Sequence, residues 1–168
     1  MAIISVSQSH KSDAEMKANF KAHQKGFETL LRMIKEDMGL ERVDDTWTRP
    51  ADPATIKVSR ERIAAYRTLF KEVGIPRGIE AYDLERRSVS FLASTQGTTV
   101  AGSVKGYVWC EIPPDGLVSS LDPLVTGRGV ISTTGCIPPK SQGWCESSGV
   151  THGYCPIEGN WYLYFSRD

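Results

Sequence analysis

Four cysteines and one nearby histidine are the residues whose types and spacing most readily suggest chemistry: Cys110, Cys136, Cys145, Cys155 and His152. Thiols can pair as disulfides, thiolates and an imidazole can hold zinc, and a thiol beside an imidazole base can act as a nucleophile. Spacing weighs against zinc, because no Cys-x2–4-Cys knuckle occurs and His152 stands three residues before Cys155 and seven after Cys145. A catalytic pair would need shared geometry that proximity in sequence does not supply, and a flanking Thr151 and Gly153 suit a plain loop histidine. Disulfides are the favoured expectation, with Cys136 joined to Cys145 and Cys110 to Cys155. In the chain-entropy picture the longer closure would stabilise the fold by roughly 4 kcal/mol and the shorter by roughly 2–3 kcal/mol.

Other chemical signatures are missing. The chain carries no phosphate-loop, nucleophile-elbow or His-Glu-x-x-His pattern, and Gly127-Arg128-Gly129 is too short for a dinucleotide fingerprint. No cofactor or metal is expected. His10 stands near a terminus expected to fray, and His23 on or beside an apolar helical stripe, where packing explains it. Carboxylates gather at Glu36, Asp37, Glu41, Asp44 and Asp45, a pattern that a solvated helix end accounts for. Arg60, Arg62, Arg67 and Lys71 decorate one helix but are balanced by Glu61 and Glu72, so a nucleic-acid groove is not expected.

The elements that must position these residues follow from periodicity. Ser12 and Glu15 form a capping-box pattern. Met16, Phe20, Phe27, Leu30, Leu31, Ile34 and Met38 then recur at threes and fours up to Gly39, with a break expected at Gly26. A second helix begins at Ser59, buries Ile63, Tyr66, Leu69, Phe70 and Val73, and stops at Gly74 and Pro76. Leu40–Trp47 and Gly78–Tyr82 are candidate short strands. Beyond them the period becomes two: a strand over Ser88–Ser94, a turn at Thr95–Gly97, a strand over Thr99–Glu111, and an aromatic strand over Asn160–Ser166. In that last strand Trp161 must alternate with Tyr162 and Tyr164, and the two tyrosines, if exposed beside Tyr107 or Trp109, would make an amphipathic patch. Residues 112–158 have no sustained period and read as one long loop.

Composition agrees with a single α+β domain over 1–168: a mainly helical part, 12–74, and a strand and loop part, 78–168. The chain has 168 residues and zero formal charge, and it contains no apolar run long enough to cross a membrane. Residues 1–87 hold 16 of 20 basic and 14 of 20 acidic residues but four of 15 glycines, a shift from charged helices to strands rather than a domain boundary. The expected architecture is two amphipathic helices on a small antiparallel sheet, with a long disulfide-pinned loop.

The order Phe27 to Met38, Gly39-Leu40-Glu41-Arg42-Val43, Gly102-Ser103-Val104-Lys105-Gly106-Tyr107 and Gly159-Asn160-Trp161-Tyr162-Leu163-Tyr164 resembles small uncharacterised secreted or lipoprotein-type proteins of Gram-negative bacteria. The likeness covers residues 20–110 and the last ten, leaves out the cysteine-bearing segment, and implies an envelope location without catalytic residues. Met1-Ala2-Ile3-Ile4-Ser5 has no basic and apolar leader pattern, so an exported chain would be one from which a signal or lipid-anchor peptide has been removed. A cytosolic chain with reduced thiols is the alternative.

These readings converge on a non-enzymatic periplasmic or outer-envelope binding domain for an unknown protein or cell-wall component, an inhibitor or anti-toxin being one form. Its expected surface is the long loop and the last strand, with Trp144, His152, Tyr154, Tyr162 and Tyr164. A small hydrolase using His152 with a cysteine or carboxylate, and an assembly subunit pairing through a sheet edge, are the alternatives.

Overall fold

A computed structural model describes residues 10–81, 85–97, 102–126 and 151–167. The chain is α+β. Helix α1 runs over Asp13–Glu36 and α2 over Arg60–Val73, with a 3-10 turn at Pro53–Ile56 between them and a short helix α3 at Asp122–Val125. The strands are β1 (Arg42–Val43), β2 (Thr48–Arg49), β3 (Ile79–Glu80), β4 (Ser88–Gly97), β5 (Gly102–Cys110), β6 (Thr151–Glu158) and β7 (Trp161–Arg167). They form one seven-stranded antiparallel sheet in the order β2-β1-β3-β4-β5-β7-β6.

Both long helices start where their capping residues require. The Ser12 hydroxyl accepts from the Glu15 amide while the Glu15 carboxylate accepts from the Ser12 amide. Ser59 caps α2 and Gly74 closes it in the left-handed conformation. The apolar stripes of α1 and α2 lie on one face of the sheet. Phe27 is central there, with ring centroids 4.6 Å from Tyr107, 5.2 Å from Phe20 and 5.7 Å from Phe91.

Several details differ from the sequence expectation. The irregular turn in α1 falls at His23 (φ −121°, ψ 21°), not at Gly26. Gly26 is instead a point of close approach: a Cβ there would lie 2.5 Å from Val73 Cγ1 on α2. The strand β4 continues through Thr95–Gly97, which pairs with Val104–Gly102, so the expected turn at those residues is strand and the connection lies at 98–101, outside the described residues. Within 112–158, helix α3 and strand β6 replace part of the expected loop. Pro156 hides β6 from a pattern search, yet proline is tolerated in a strand at the sheet's edge, and the register shifts beside it.

The contact at Gly26 sets a measurable balance. Alanine gains about 1 kcal/mol in helix propensity, whereas overfilling a packed contact costs about 1–3 kcal/mol. Gly26→Ala is expected to lower stability in urea denaturation, and to cost less in a Val73→Ala background. Stabilisation by the full propensity gain in both backgrounds would contradict the close approach.

Candidate functional site

The β6–β7 hairpin decides where the expected site residues go. Side chains alternate across a strand, and Trp161, Leu163 and Phe165 face the helices within the main core. Tyr162 and Tyr164 therefore take the opposite face, as the alternation requires. In register with them, Tyr154 lies opposite Tyr164 and His152 opposite Ser166, so residues ten and fourteen apart in sequence share that face. The His152 and Tyr154 rings stand 6.5 Å apart, edge to face. On the neighbouring strand Gly106 is opposite Tyr164, and a Cβ there would come within 2.9 Å of the tyrosine ring and collide with the Phe91 carbonyl.

The patch is less open than expected. Tyr162 is only 5% exposed and packs with Val108 and Cys110, while Tyr154 and Tyr164 are half-buried against that cluster. Tyr107 and Trp109 belong to the other face, where Lys35 Nζ sits 3.4 Å from the Trp109 ring centroid. Trp144 lies outside the described residues.

Strand geometry also overturns the expected Cys110–Cys155 disulfide. Tyr107, Leu163 and Cys155 form one cross-strand row facing the helices. Cys110 is three residues beyond Tyr107 and so faces the other way, in the cluster with Tyr162. The two cysteines also stand two strands apart and three residues along the sheet, about 14 Å, beyond the roughly 7 Å that a disulfide can bridge. No disulfide joins the described residues, and the Cys155 thiol instead donates to the Ser119 carbonyl at 3.3 Å. The expected disulfide-pinned loop is thus unsupported; Cys136 and Cys145 lie outside the described residues.

The same parity separates His152 from Cys155, which point to opposite faces of β6. Cys110 shares the His152 face but is six residues along the strand from the position level with it, about 20 Å away. Neither described cysteine can serve as a nucleophile with this imidazole. No group of three or more His, Cys, Asp or Glu side chains that could hold a metal occurs among the described residues.

A second constellation escaped the sequence reading. Lys105, on β5, is completely buried, and its ammonium lies 2.8 Å from the Lys11 carbonyl, 2.7 Å from Asp13 Oδ1 and 3.1 Å from Asp122 Oδ1. Asp13 Oδ2 accepts from the Leu121 amide at 2.6 Å and the Ser120 hydroxyl at 2.8 Å. The Asp13 amide donates to Asp122 Oδ1 at 3.0 Å. Burial opposes the Asp13 charge, but the Lys105 ammonium, the Leu121 amide and the Ser120 hydroxyl together hold its carboxyl below the ordinary carboxylate value.

His10 adjoins this network. It is only 7% exposed, contrary to a frayed terminus, and its ring nitrogens lie 2.6 Å from Ser94 Oγ and 2.8 Å from Ser103 Oγ. Serine hydroxyls can donate or accept, so these bonds suit either ring charge. Burial, reinforced by the positive charges of Lys105 and Arg167, lowers the His10 pKa. A bulge at Ala93 makes the site: Leu92 pairs with Gly106 and Ser94 with Lys105, which turns Ser94 to the helix side. The constellation ties the start of α1 to the sheet and to the segment around 120, with Asp13 Oδ1 held by the Lys105 charge without a hydrogen bond of its own.

A third feature is a groove of about 430 Å³ between α2 and the β1–β2 hairpin, with Trp47, Ile63, Arg60 and Arg67 among its walls. A scan against family models and searches of curated proteins and solved structures found no match. No described helix is long and apolar enough to cross a membrane.

The His10–Lys105 constellation implies an acid response in two stages. Below about pH 6.5 the unfolded chain protonates His10 more readily than the folded one, so stability present above that value declines as pH falls. Asp13 adds a second loss as pH falls through and below the ordinary aspartate value of 3.8. Thermal denaturation should show the first decline in the wild type and a weaker one in His10→Gln. Lys105→Met should lose about 3–5 kcal/mol at neutral pH, because Asp13 is left buried without its counter-charge. Equal stability of Lys105→Met and wild type in urea would contradict the network.

Proposed function

We propose that this chain is a non-enzymatic binding domain of the periplasm or outer envelope, which engages a partner protein or cell-wall component through the face carrying His152, Tyr154 and Tyr164. The observation that carries the reading is the register of the β6–β7 hairpin, which gathers those three side chains on the sheet face away from the helices. Tyrosine suits such a surface because its ring packs while its hydroxyl bonds. An inhibitor or anti-toxin would be one form of it. The separation of His152 from Cys110 and Cys155 lends nothing to a thiol hydrolase. Edge pairing has little to work with either, since β2 is two residues long and the outer side of β6 bonds Gly116 and Val118 at Tyr154.

The envelope location rests on the resemblance and on Cys136 and Cys145, since Cys110 and Cys155 no longer contribute to it. A non-reducing digest of protein from its native host should yield a linked Cys136–Cys145 peptide; four reduced thiols would remove the oxidising compartment. For the surface itself, a photo-crosslinking amino acid at Tyr154 or Tyr164 should give an adduct of one fixed mass in envelope extracts, competed by unlabelled protein. The same adduct from the exposed helical position Lys21, or none from either tyrosine position, would overturn the reading.

A further inference from the structure

The geometry points to a binding site in the groove between α2 and the β1–β2 hairpin, and we propose that it takes a short acidic segment of a partner protein, with an apolar side chain between carboxylates. The site is independent of the tyrosine face on the far side of the sheet.

The lining itself is cationic, with two arginines and no carboxylate, while Asp45 and Asp52 stand beside it in sequence and the Asp52 carboxylate is taken up by the Ala54 amide. Arg60, Ile63 and Arg67 recur at intervals of three and four and so share one side of α2, and all three line the groove. Arg62 turns away and is neutralised, with Nε 2.7 Å from Asp37 and Nη2 2.9 Å from Glu36. The Glu61 carboxylate is held mainly at the helix start by its own amide and the Ser59 hydroxyl, with a weaker attraction to Arg60. None of the groove-lining residues is acidic. Arg67 is held in place by its Nε, which donates to the Asp44 carbonyl at 3.1 Å. Its terminal nitrogens and the whole Arg60 guanidinium have no hydrogen bond or ion pair among the described residues.

The walls between these charges are apolar. Ile63 and Pro53 line the groove with Trp47, which is 44% exposed, a high value for so large a ring, and is backed by the Arg42 guanidinium at 5.3 Å. Burying an exposed indole favours a ligand with an apolar body, and the two guanidinium forks favour carboxylates, which they can bind bidentately. Arg60 and Arg67 leave the helix about 10 Å apart along its axis. In an extended peptide, residues four apart lie on one face about 13 Å apart, within reach of two long guanidinium side chains, and the residue midway between them faces the same way, which sets an apolar side chain between two acidic ones. The groove is open-sided, which suits a strand of peptide laid across it better than an enclosed small molecule.

The test uses the full chain and an end-capped peptide in which one leucine is flanked by two glutamates on each side, with a glutamine version as control. In NMR titration the glutamate peptide should shift the Trp47 indole N–H saturably, with affinity falling as salt rises. Arg60→Gln and Arg67→Gln should each weaken binding roughly tenfold, the scale of one charge-assisted hydrogen-bonded contact, whereas Lys21→Gln and Tyr154→Ala should leave it unchanged. Absence of a saturable Trp47 shift, equal binding of the glutamine peptide, or indifference to both arginine changes would overturn the proposal. Full displacement of the peptide by inorganic phosphate at the same concentration would reassign the groove to small anions.

Discussion

The Lys105 ammonium is fully buried and yet surrounded by three acceptors from two separate parts of the chain, Lys11 and Asp13 at the start of α1 and Asp122 after β5. An unpaired charge in that position would cost several kcal/mol, so the surrounding backbone has little freedom. Asp13 must sit at the first residue of α1, which places Ser12 as its cap. Asp122 must come down from the segment after β5, and the same segment supplies Ser120 and the Leu121 amide to Asp13. The start of a helix, the middle of a sheet and an otherwise aperiodic stretch are thereby tied at one point. Where a disulfide was expected to order residues beyond 112, an ion pair and its hydrogen bonds order the stretch around 120.

Strand parity is the second constraint, and it operates over the whole sheet. One side of β4, β5 and β7 is committed to Phe91, Tyr107, Leu163 and Phe165 beneath the helices. Everything one residue out of phase then belongs to the other side, including Cys110, Tyr162 and Tyr164. The bulge at Ala93 reverses the phase for the last part of β4 and turns Ser94 toward His10. A single extra residue in a strand thus determines whether a buried imidazole has hydrogen-bond partners.

Local signals carried much of this into the sequence. One capping box, a serine cap, glycine stops and apolar spacing disclose α1 and α2 to within a few residues, and alternation in β7 correctly separates Trp161 from Tyr162 and Tyr164. The gathering of His152, Tyr154, Tyr162 and Tyr164 on one face was legible only as an aromatic strand beside a loop, because the register that joins β6 to β7 is a long-range property. Lys105 was missed since a lysine in a strand ordinarily points to water. Its partners Asp13 and Asp122 are 92 and 17 residues away, with no periodicity linking them. The cysteine pairing failed for a related reason: closeness to strand ends says nothing of which face each thiol occupies.

Zero net charge acquires a physical meaning once the charges are located. Folding neutralises some of them internally, as at Lys105 with Asp13 and at Arg62 with Glu36 and Asp37. Such groups are poor candidates for recognising anything, because a ligand would have to displace partners that hold the fold. Recognition falls to groups whose geometry is fixed but whose charge is unmet. Arg67 has that character, anchored through one nitrogen to the Asp44 carbonyl with the rest of its fork facing an open groove beside Trp47. Such preorganisation lowers the entropy lost on binding, since the side chain is already ordered before a ligand arrives. A chain with balanced charge can therefore carry a locally cationic, partly apolar surface, and its binding preferences follow from which ion pairs the fold leaves unmade.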